Sequence, residues 1–356
     1  MNVLGLDIGG ANIKAAWANV DADGVLQELH CHSAGFALWR APHLLEAKLR
    51  EVAESQRSFD ALAVTMTGEL CDCFASRHEG VLHILAAVAC LARGRPVGVW
   101  STKAGFVTLE EAASNWIDVA SANWHVMAHH MARIYNEGTA IVVDTGSTTT
   151  DIVRLEHGEL RVTGLTDAKR LSAGELVYTG VGRTPLASLM SEWIGGGERP
   201  HRIMAETFAT TADIYTLMGD IPEAPTNTDT ADGRPMTRRD AANRVLRMVG
   251  KDLSIGSMEE AETWARRFAL RQVEMIASAI ERLAMGNEFV HAVVCGSGAF
   301  VAERAVRCGV KKRFELNRYR EVLGDAASEA ACAVALVALW ADPRRGVRGL
   351  LEKGIE

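Results

Sequence analysis

The pattern of apolar runs and polar breaks along the chain predicts two α/β halves that open in the same way. In the first half, three strands over residues 2–30 precede alternating helices and strands, including a buried strand at 61–66. The second half starts again on three strands, at residues 141–144, 149–155 and 159–163. This order of elements is typical of an α/β fold with a mixed sheet in each half.

A helix-rich segment, about residues 184–286, interrupts the second half. We therefore predict an N-terminal domain at 1–137 and a C-terminal domain at 138–356 that carries the insertion. A final apolar helix, about residues 327–342, is expected to pack back on the N-terminal domain.

Two helices have clear sequence signals. Ser257 and Glu260 fit a capping box that opens a long amphipathic helix, which is expected to close at Gly286. Residues 118–136 are predicted to form one helix that ends before Gly138.

One apolar run of the second half ends abruptly in residues suited to phosphate and metal. After Val143 the chain continues Asp-Thr-Gly-Ser-Thr-Thr-Thr-Asp. A strand that stops at Asp-x-Gly and turns into a second strand makes a tight loop, which can direct N–H groups and hydroxyls at phosphate oxygens. Its two carboxylates can hold a divalent cation. The same design occurs near the start of the chain, so that these positions align: Asp7 with Asp144, Gly9 with Gly146, Gly10 with Ser147, and Lys14 with Asp151.

A third glycine-rich turn completes an ordered set. An apolar strand at 291–295 leads into Gly296, Ser297 and Gly298. A single Asp-x-Gly turn has little specificity, but three turns in this order, two of them mutually similar, favour a phosphate-binding cleft over unrelated tight turns. The set resembles the superfamily of sugar kinases, hsp70 ATPases and actin, in which two ribonuclease-H-like domains enclose a nucleotide. The resemblance implies that the third turn is a nucleotide-like pocket.

Within that superfamily, residues 144–151 most resemble the hydantoinase A and oxoprolinase branch. Further segments are similar to a family found with tetrahydromethanopterin-linked one-carbon metabolism and associated with methanofuran or methylofuran biosynthesis. These segments are residues 63–74, 120–124, 182–185 and 229–235.

The resemblance implies a condensation rather than a phosphorylation. The phenol of γ-glutamyltyramine, tyramine or tyrosine would attack an aminomethylfuran that bears a methyl diphosphate, giving an aryl ether and diphosphate. A diphosphate leaving group requires N–H groups, hydroxyls and Mg²⁺ around it, which a kinase-like cleft can supply.

On this interpretation Asp7, Asp144 and Asp151 bind Mg²⁺, and Asp7 and Asp144 act in catalysis. Lys14 is either a point-charge contact to a phosphate oxygen or a side chain that points outward from its strand. The phosphate-binding residues of the two loops are expected to be Gly9, Gly10, Asn12, Lys14, Thr145, Gly146, Ser147, Thr148 and Thr149.

Other candidates lie outside the loops. Glu69 follows the buried strand at 61–66 and is expected to face the cleft as a general base or amine contact, with Asp72 as second choice; the alternative for Glu69 is helix capping. Arg234, with Asp229 and Asp232, lies in a Pro-rich loop that either closes over the diphosphate as a lid or is a solvated charged turn. An anion could also sit beside Arg183, ahead of a helix start.

Composition limits the classes of function. With 356 residues, 48% hydrophobic and 23% charged, the chain suits two globular domains. A net charge of −7 argues against general binding of nucleic acid or acidic membranes. The apolar runs are too short to span a bilayer, and seven dispersed cysteines favour a reducing cytoplasm with free thiols over a zinc site at Cys71 and Cys73. The oligomeric state is open, a homo-oligomer included.

Two rival functions remain. An ATP-dependent small-molecule kinase, or a hydantoinase- or oxoprolinase-like enzyme on the same fold, would bind ATP at Gly296–Gly298. A non-enzymatic ATP-binding regulator is the second rival, although no DNA-binding helix pair or basic arm is evident. The family-like segments, rather than the fold, favour the condensing transferase.

Overall fold

The computed structural model describes residues 1–21, 26–54, 58–194, 199–284 and 288–341. The turn predicted at Gly24 and the helix end predicted at Gly286 lie outside these residues. The strands are β1 (Asn2–Ile8), β2 (Asn12–Val20), β3 (Leu26–Gly35), β4 (Ala61–Met66), β5 (Val97–Ser101), β6 (Gly105–Val107), β7 (Thr139–Thr145), β8 (Thr150–Glu156), β9 (Glu159–Arg161), β10 (Leu176–Val177), β11 (Glu192–Trp193), β12 (His201–Arg202), β13 (His291–Cys295) and β14 (Glu315–Arg318).

The helices between these strands are mostly short, apart from α2 in the first half and α10 in the insertion. They are α1 (Leu45–Glu54), α2 (Arg77–Ala92), α3 (Leu109–Ser114), α4 (Trp116–Val119), α5 (Asn123–Ile134), α6 (Asp167–Ala173), α7 (Leu186–Leu189), α8 (Thr211–Met218), α9 (Arg238–Arg247), α10 (Met258–Ala284), α11 (Ala299–Gly309), α12 (Tyr319–Leu323), α13 (Asp325–Glu329) and α14 (Ala331–Ala341). None of the described helices is both long and apolar enough to cross a membrane.

Two sheets repeat one strand order. The first runs β3-β2-β1-β4-β5-β6, and the second runs β10-β8-β7-β13-β14 with β9 also paired to β8. In the first sheet β1 and β2 are antiparallel, whereas β1 and β4 are parallel. An antiparallel meander extended by parallel strands is the order of a ribonuclease-H-like sheet, and β9-β8-β7-β13-β14 repeats β3-β2-β1-β4-β5. The predicted fold class, two ribonuclease-H-like α/β domains with a helical insertion in the second, is confirmed.

The chain divides into two compact units. The first contains Met1–Val142, Val153–Ala173 and the described residues from Asn317 onward; the second contains Val143–Ile152 and Gly174–Leu316. The domain boundary between residues 137 and 138 stays a prediction.

Helices cover both faces of the first sheet. Alternate residues of β1, such as Leu4 and Leu6, are fully buried in one core with residues of α1 and α2. Gly5 faces the other way, and a Cβ on it would lie 2.5 Å from the carbonyl oxygen of Ala333 in α14. Helix α14 therefore packs on the first unit's sheet as closely as backbone allows.

Two helix predictions need correction. The helix predicted over 118–136 is broken into α4 and α5, because Ser121 adopts a left-handed backbone with φ of 49°. The predicted capping box is only half formed: the Ser257 hydroxyl accepts from the amide of Glu260 at 3.1 Å, but the Glu260 carboxylate accepts from Lys251 at 2.7 Å. The ion pair with Lys251 therefore takes the place of the expected hydrogen bond from the Ser257 amide to the Glu260 carboxylate.

Candidate functional site

The two aligned loops are closed by the same hydrogen bond. In the first loop the Gly9 amide donates to the Asn12 carbonyl at 3.0 Å, and in the second the Gly146 amide donates to the Thr149 carbonyl at 2.9 Å. Because the donors and the acceptors stand at the same offset in sequence, the repeat predicted from sequence extends to backbone geometry.

Acidic residues lie at the same place beside each loop. In the first hairpin Asp7 is the cross-strand partner of Lys14, so the two side chains lie on one face of the sheet. This places Lys14 beside Asp7 and its loop.

In the second hairpin the Thr150 and Thr145 hydroxyls are hydrogen-bonded at 3.2 Å, which marks these two residues as cross-strand neighbours. One residue farther from the turn, Asp144 and Asp151 form the next cross-strand pair. Their side chains lie on the face of the sheet opposite to those of Thr145 and Thr150. Where the first hairpin pairs an acid with a base, the second pairs two acids. Two facing carboxylates repel each other, so this pair favours a bound cation.

The second loop is held by a segment that we call the strap, residues 179–184. Its Val181 amide donates to the Gly146 carbonyl at 3.0 Å, and the amides of Gly182 and Arg183 both donate to the Ser147 carbonyl at 2.9 Å. The strap therefore occupies the loop's carbonyl side.

The opposite side of the loop is left with donors. In a planar trans peptide the C=O and the following N–H point in opposite directions, so fixing the Gly146 and Ser147 carbonyls aims the amides of Ser147 and Thr148 away from the strap. Within the described part of the chain, neither amide donates a hydrogen bond. Both residues are partly exposed. Adjacent, outward-facing N–H groups form an anion-binding nest.

The first loop follows the same plan with a different partner. The amides of Phe36 and Leu38 donate to the carbonyls of Ala11 and Gly10, at 3.0 and 2.9 Å. The Ala11 amide, opposite the Gly10 carbonyl, donates to no acceptor among the described residues. Each unit thus presents free amide donors from its own Asp-x-Gly loop.

The third turn packs directly on the second loop. The Gly298 amide donates to the Thr145 carbonyl at 2.8 Å. A Cβ on Gly296 would lie 2.3 Å from Oδ1 of Asp144, and one on Gly298 would lie 2.5 Å from the Thr145 side chain. Close packing therefore accounts for both glycines, and Ser297 between them is exposed. The nucleotide-like pocket at this turn stays a prediction.

Two of the three carboxylates predicted to bind magnesium, Asp144 and Asp151, lie beside the second loop. In the part of the chain that the structure describes, no group of three or more His, Cys, Asp or Glu side chains is placed to hold a metal ion. Of the predicted trio, Asp7 belongs to the first unit and Asp144 and Asp151 to the second, so shared binding of one ion by all three stays a prediction. The donor set of the second loop nevertheless suits Mg²⁺, which in proteins often takes one or two carboxylates and completes its shell with phosphate oxygens and water.

Glu69, which was predicted to face the cleft, has a buried side chain. Its side chain is 0% exposed, and Oε1 accepts from Arg77 at 2.7 Å and from the Ser121 hydroxyl at 3.0 Å. Arg77 also forms an ion pair of 3.1 Å with Asp167. Burial raises the pKa of Glu69, and the adjacent Arg77 and Ser121 oppose that rise. In this arrangement Glu69 anchors side chains; Asp72, the second choice, is exposed.

The Pro-rich loop is also more tightly held than expected. Asp232 accepts from the fully buried Arg244 at 2.9 Å and lies 3.4 Å from Arg247. Burial alone would raise the pKa of Asp232, but Arg244 and the Arg234 amide outweigh that effect and lower it. The Arg234 side chain is 56% exposed. Asp232 is thus an internal partner of Arg244, and a phosphate contact by Arg234 stays a prediction.

Sequence reasoning missed the residues that hold the loops. Of the strap, only the part that overlaps the family-like segment 182–185 belongs to the predicted features. The Gly-x-Gly at 180–182 is a sequence signal for close backbone approach. Ser121 stood in the family-like segment 120–124, but nothing in the sequence paired it with Glu69. None of the cysteines, all of which lie in the described residues, forms a disulfide, and the choice of free thiols over a zinc site at Cys71 and Cys73 stays a prediction.

Known proteins resemble this chain in sequence. The hydantoinase/oxoprolinase family matches residues 60–339. A Methanocaldococcus jannaschii protein named (4-{4-[2-(γ-L-glutamylamino)ethyl]phenoxymethyl}furan-2-yl)methanamine synthase is 31% identical over 85% of this chain and 88% of its own length. A Methanococcus vannielii protein of the same name is 31% identical over 47% of this chain and 74% of its own.

Among solved structures, nucleotide-free acetone carboxylase, from a study of ATP-dependent acetone carboxylation, has a TM-score of 0.53. The superposition covers 95% of this chain and 70% of that one at 10% identity. At that identity the likeness shows the fold alone. The family match and the M. jannaschii relative show the family as well as the fold. This chain belongs to the hydantoinase/oxoprolinase family, together with the furan-methanamine synthases.

Proposed function

We propose that this chain is a transferase that forms the ether bond between a furan methyl group and a phenol, releasing diphosphate, in the biosynthesis of a methanofuran-type cofactor. The product in the relatives' name contains a phenoxymethyl group on a furan, so the bond formed joins the phenol oxygen to the furan's methylene carbon. In the reaction, the bond from that carbon to diphosphate breaks, and the diphosphate leaves with the electron pair. The phenol loses its proton.

The observation that carries the proposal is the pair of free amides at Ser147 and Thr148 beside two facing carboxylates. Developing negative charge on a leaving diphosphate is stabilised by donors that are already oriented, because no reorganisation is needed during the reaction. The strap supplies that orientation by occupying the loop's carbonyls. Lys14, next to Asp7 in the first hairpin, adds a positive charge to the other loop.

Asp144 and Asp151 are the residues that would hold Mg²⁺. When bound, the ion would neutralise charge on the diphosphate. The chain's own contribution is to place the two carboxylates and the amide nest on one hairpin, formed by β7 and β8.

Calorimetric titration of the purified protein with diphosphate and with a non-hydrolysable ATP analogue, each with Mg²⁺, tests the proposal. Binding of diphosphate without binding of the analogue supports the transferase. Tight binding of the analogue, together with hydrolysis of ATP itself, would instead favour the kinase or oxoprolinase alternative. A positive result should be followed by mass-spectrometric detection of the ether from a synthetic furan methyl diphosphate and γ-glutamyltyramine.

A further inference from the structure

The strap is supported from the insertion by a fully buried glutamine. Gln272, on the long helix α10, donates from Nε2 to the Thr179 hydroxyl and to the Gly180 carbonyl, both at 2.8 Å. All three groups are buried. The strap therefore does not rest on apolar packing alone, but on donors that fix the direction of its backbone.

A second buried side chain fixes the glutamine itself. The Tyr215 hydroxyl donates to Oε1 of Gln272 at 2.6 Å. Because Oε1 is committed to Tyr215, the amide's NH₂ group is turned toward the strap. Burial raises the pKa of Tyr215 well above its usual value, so the phenol keeps the proton that it donates.

Two threonines complete the support. The Thr211 hydroxyl donates to the Gly180 carbonyl at 2.7 Å, and the Thr184 hydroxyl accepts from the Gly180 amide at 2.9 Å. With Gln272, every polar group of the Gly180 backbone is satisfied by a side chain. A buried network of hydrogen bonds stabilises the fold only when each of its polar groups has a partner. Loss of one donor therefore leaves a buried acceptor with fewer hydrogen bonds, which costs free energy of folding.

We propose that Gln272 is a positioning residue for the phosphate-binding loop, a role that rests on the proposed function. Gln272 fixes Thr179 and Gly180, the strap amides that follow fix two loop carbonyls, and these carbonyls aim the amides of Ser147 and Thr148. The ligand affected is the diphosphate group of the substrate, with its metal. The helical insertion thereby sets the geometry of the site without touching the substrate.

The test compares Gln272→Leu with Phe268→Leu. Phe268 is a fully buried residue one turn earlier on α10 that packs near Trp264 and has no hydrogen bond to the strap. Both variants should lower the melting temperature through the core. Only Gln272→Leu should weaken binding of magnesium diphosphate and raise KM for the furan diphosphate, by about tenfold, because the amides of Ser147 and Thr148 lose their fixed direction. KM for the phenol should stay within about twofold of wild type in both variants.

Tyr215→Phe keeps the proposal testable if Gln272→Leu does not fold. It removes the bond that orients the glutamine amide but keeps the ring, and should raise the same KM by a smaller factor. Unchanged diphosphate binding in Gln272→Leu, or equal weakening in Phe268→Leu at equal thermal stability, would overturn the positioning role. If wild type binds ATP but not diphosphate, the proposed function fails, and the variants are compared with ATP. If wild type binds neither diphosphate nor ATP, both proposals are overturned.

Discussion

Gly180 lies so close to Gly146 that a Cβ on it would sit 2.4 Å from the Gly146 carbonyl oxygen and 2.5 Å from the Ser147 carbonyl carbon. These contacts are with backbone, which cannot swing aside as a long side chain can. The strap and the phosphate loop therefore behave as one piece, and only glycine lets them approach this closely.

Replacing Gly180 by alanine should push the strap off the loop. We expect Gly180→Ala to destabilise the fold by about 1–3 kcal/mol, typical of an overpacked core, and to raise KM for the furan diphosphate by about tenfold. Urea unfolding and steady-state kinetics measure the two effects.

Gly35→Ala is the matched control, because nothing lies within 4 Å of a Cβ at that position and its φ is not in the left-handed region. It should leave KM unchanged. Equal KM values for Gly180→Ala and wild type would show that the loop does not depend on contact with the strap.

The repeated loop could be predicted from sequence because its signal is local. Asp-x-Gly after an apolar run fixes a strand end and a tight turn, and the same spacing recurs at a constant offset, from Asp7 to Asp144. The strap could not be predicted in the same way. Its bonds join Ser147 to Gly182 and Thr179 to Gln272, which are far apart in the chain, and no local pattern encodes such pairs.

Asp144 provides the most direct test of the metal-binding pair. We expect Asp144→Asn to lower kcat by at least about 100-fold, because a neutral amide neither binds Mg²⁺ well nor keeps the charge that attracts it. The melting temperature should stay close to that of wild type, since the amide has nearly the same shape.

Glu110→Gln, at an exposed position, is the control for loss of one carboxylate. Isothermal titration with magnesium diphosphate separates binding from turnover. Near-normal kcat in Asp144→Asn would remove Asp144 from the site.

The burial of Glu69 has a physical origin, and its role as a general base or amine contact stays a prediction. The strand Ala61–Met66 has the predicted bounds. In α/β sheets, residues after the carboxyl ends of strands commonly lie at the ligand-binding edge. The side chain lies inward, where Arg77 and Ser121 both donate to its Oε1, and Ser121 itself has a left-handed backbone that no local sequence pattern predicts. Burial and partner choice are tertiary effects.

The Glu69–Arg77 pair should give a distinctive pH dependence. Burial raises the pKa of Glu69 above its unfolded value, so the folded state binds the proton more tightly. This group's contribution to stability is therefore fully present below the unfolded pKa and is lost as pH rises through the folded pKa. Removing Arg77 removes what opposes the rise, so the loss should become larger.

We expect Arg77→Ala to cost about 2 kcal/mol at neutral pH, less than for a fully buried pair because Arg77 is 30% exposed. Urea midpoints at pH 5 and pH 8 should show a steeper fall for Arg77→Ala than for wild type. Adding Glu69→Gln to Arg77→Ala should remove the extra slope. If the slope persists in the double variant, another group is responsible for it.

The insertion contains a second charged pair that tests how firmly its loop is held. Arg244 is 0% exposed and lies 2.7 Å from Asp213, which is 2% exposed. Arg244→Met should cost about 3–5 kcal/mol, because it leaves the Asp213 charge buried without a cationic partner, whereas Arg244→Met with Asp213→Asn should recover part of that loss. Arg234→Gln, at an exposed position, should change stability by less than about 0.5 kcal/mol. Urea unfolding measures all three, and a small cost for Arg244→Met would show that the loop from Asp229 to Pro235 is not anchored through the Asp232–Arg244 ion pair.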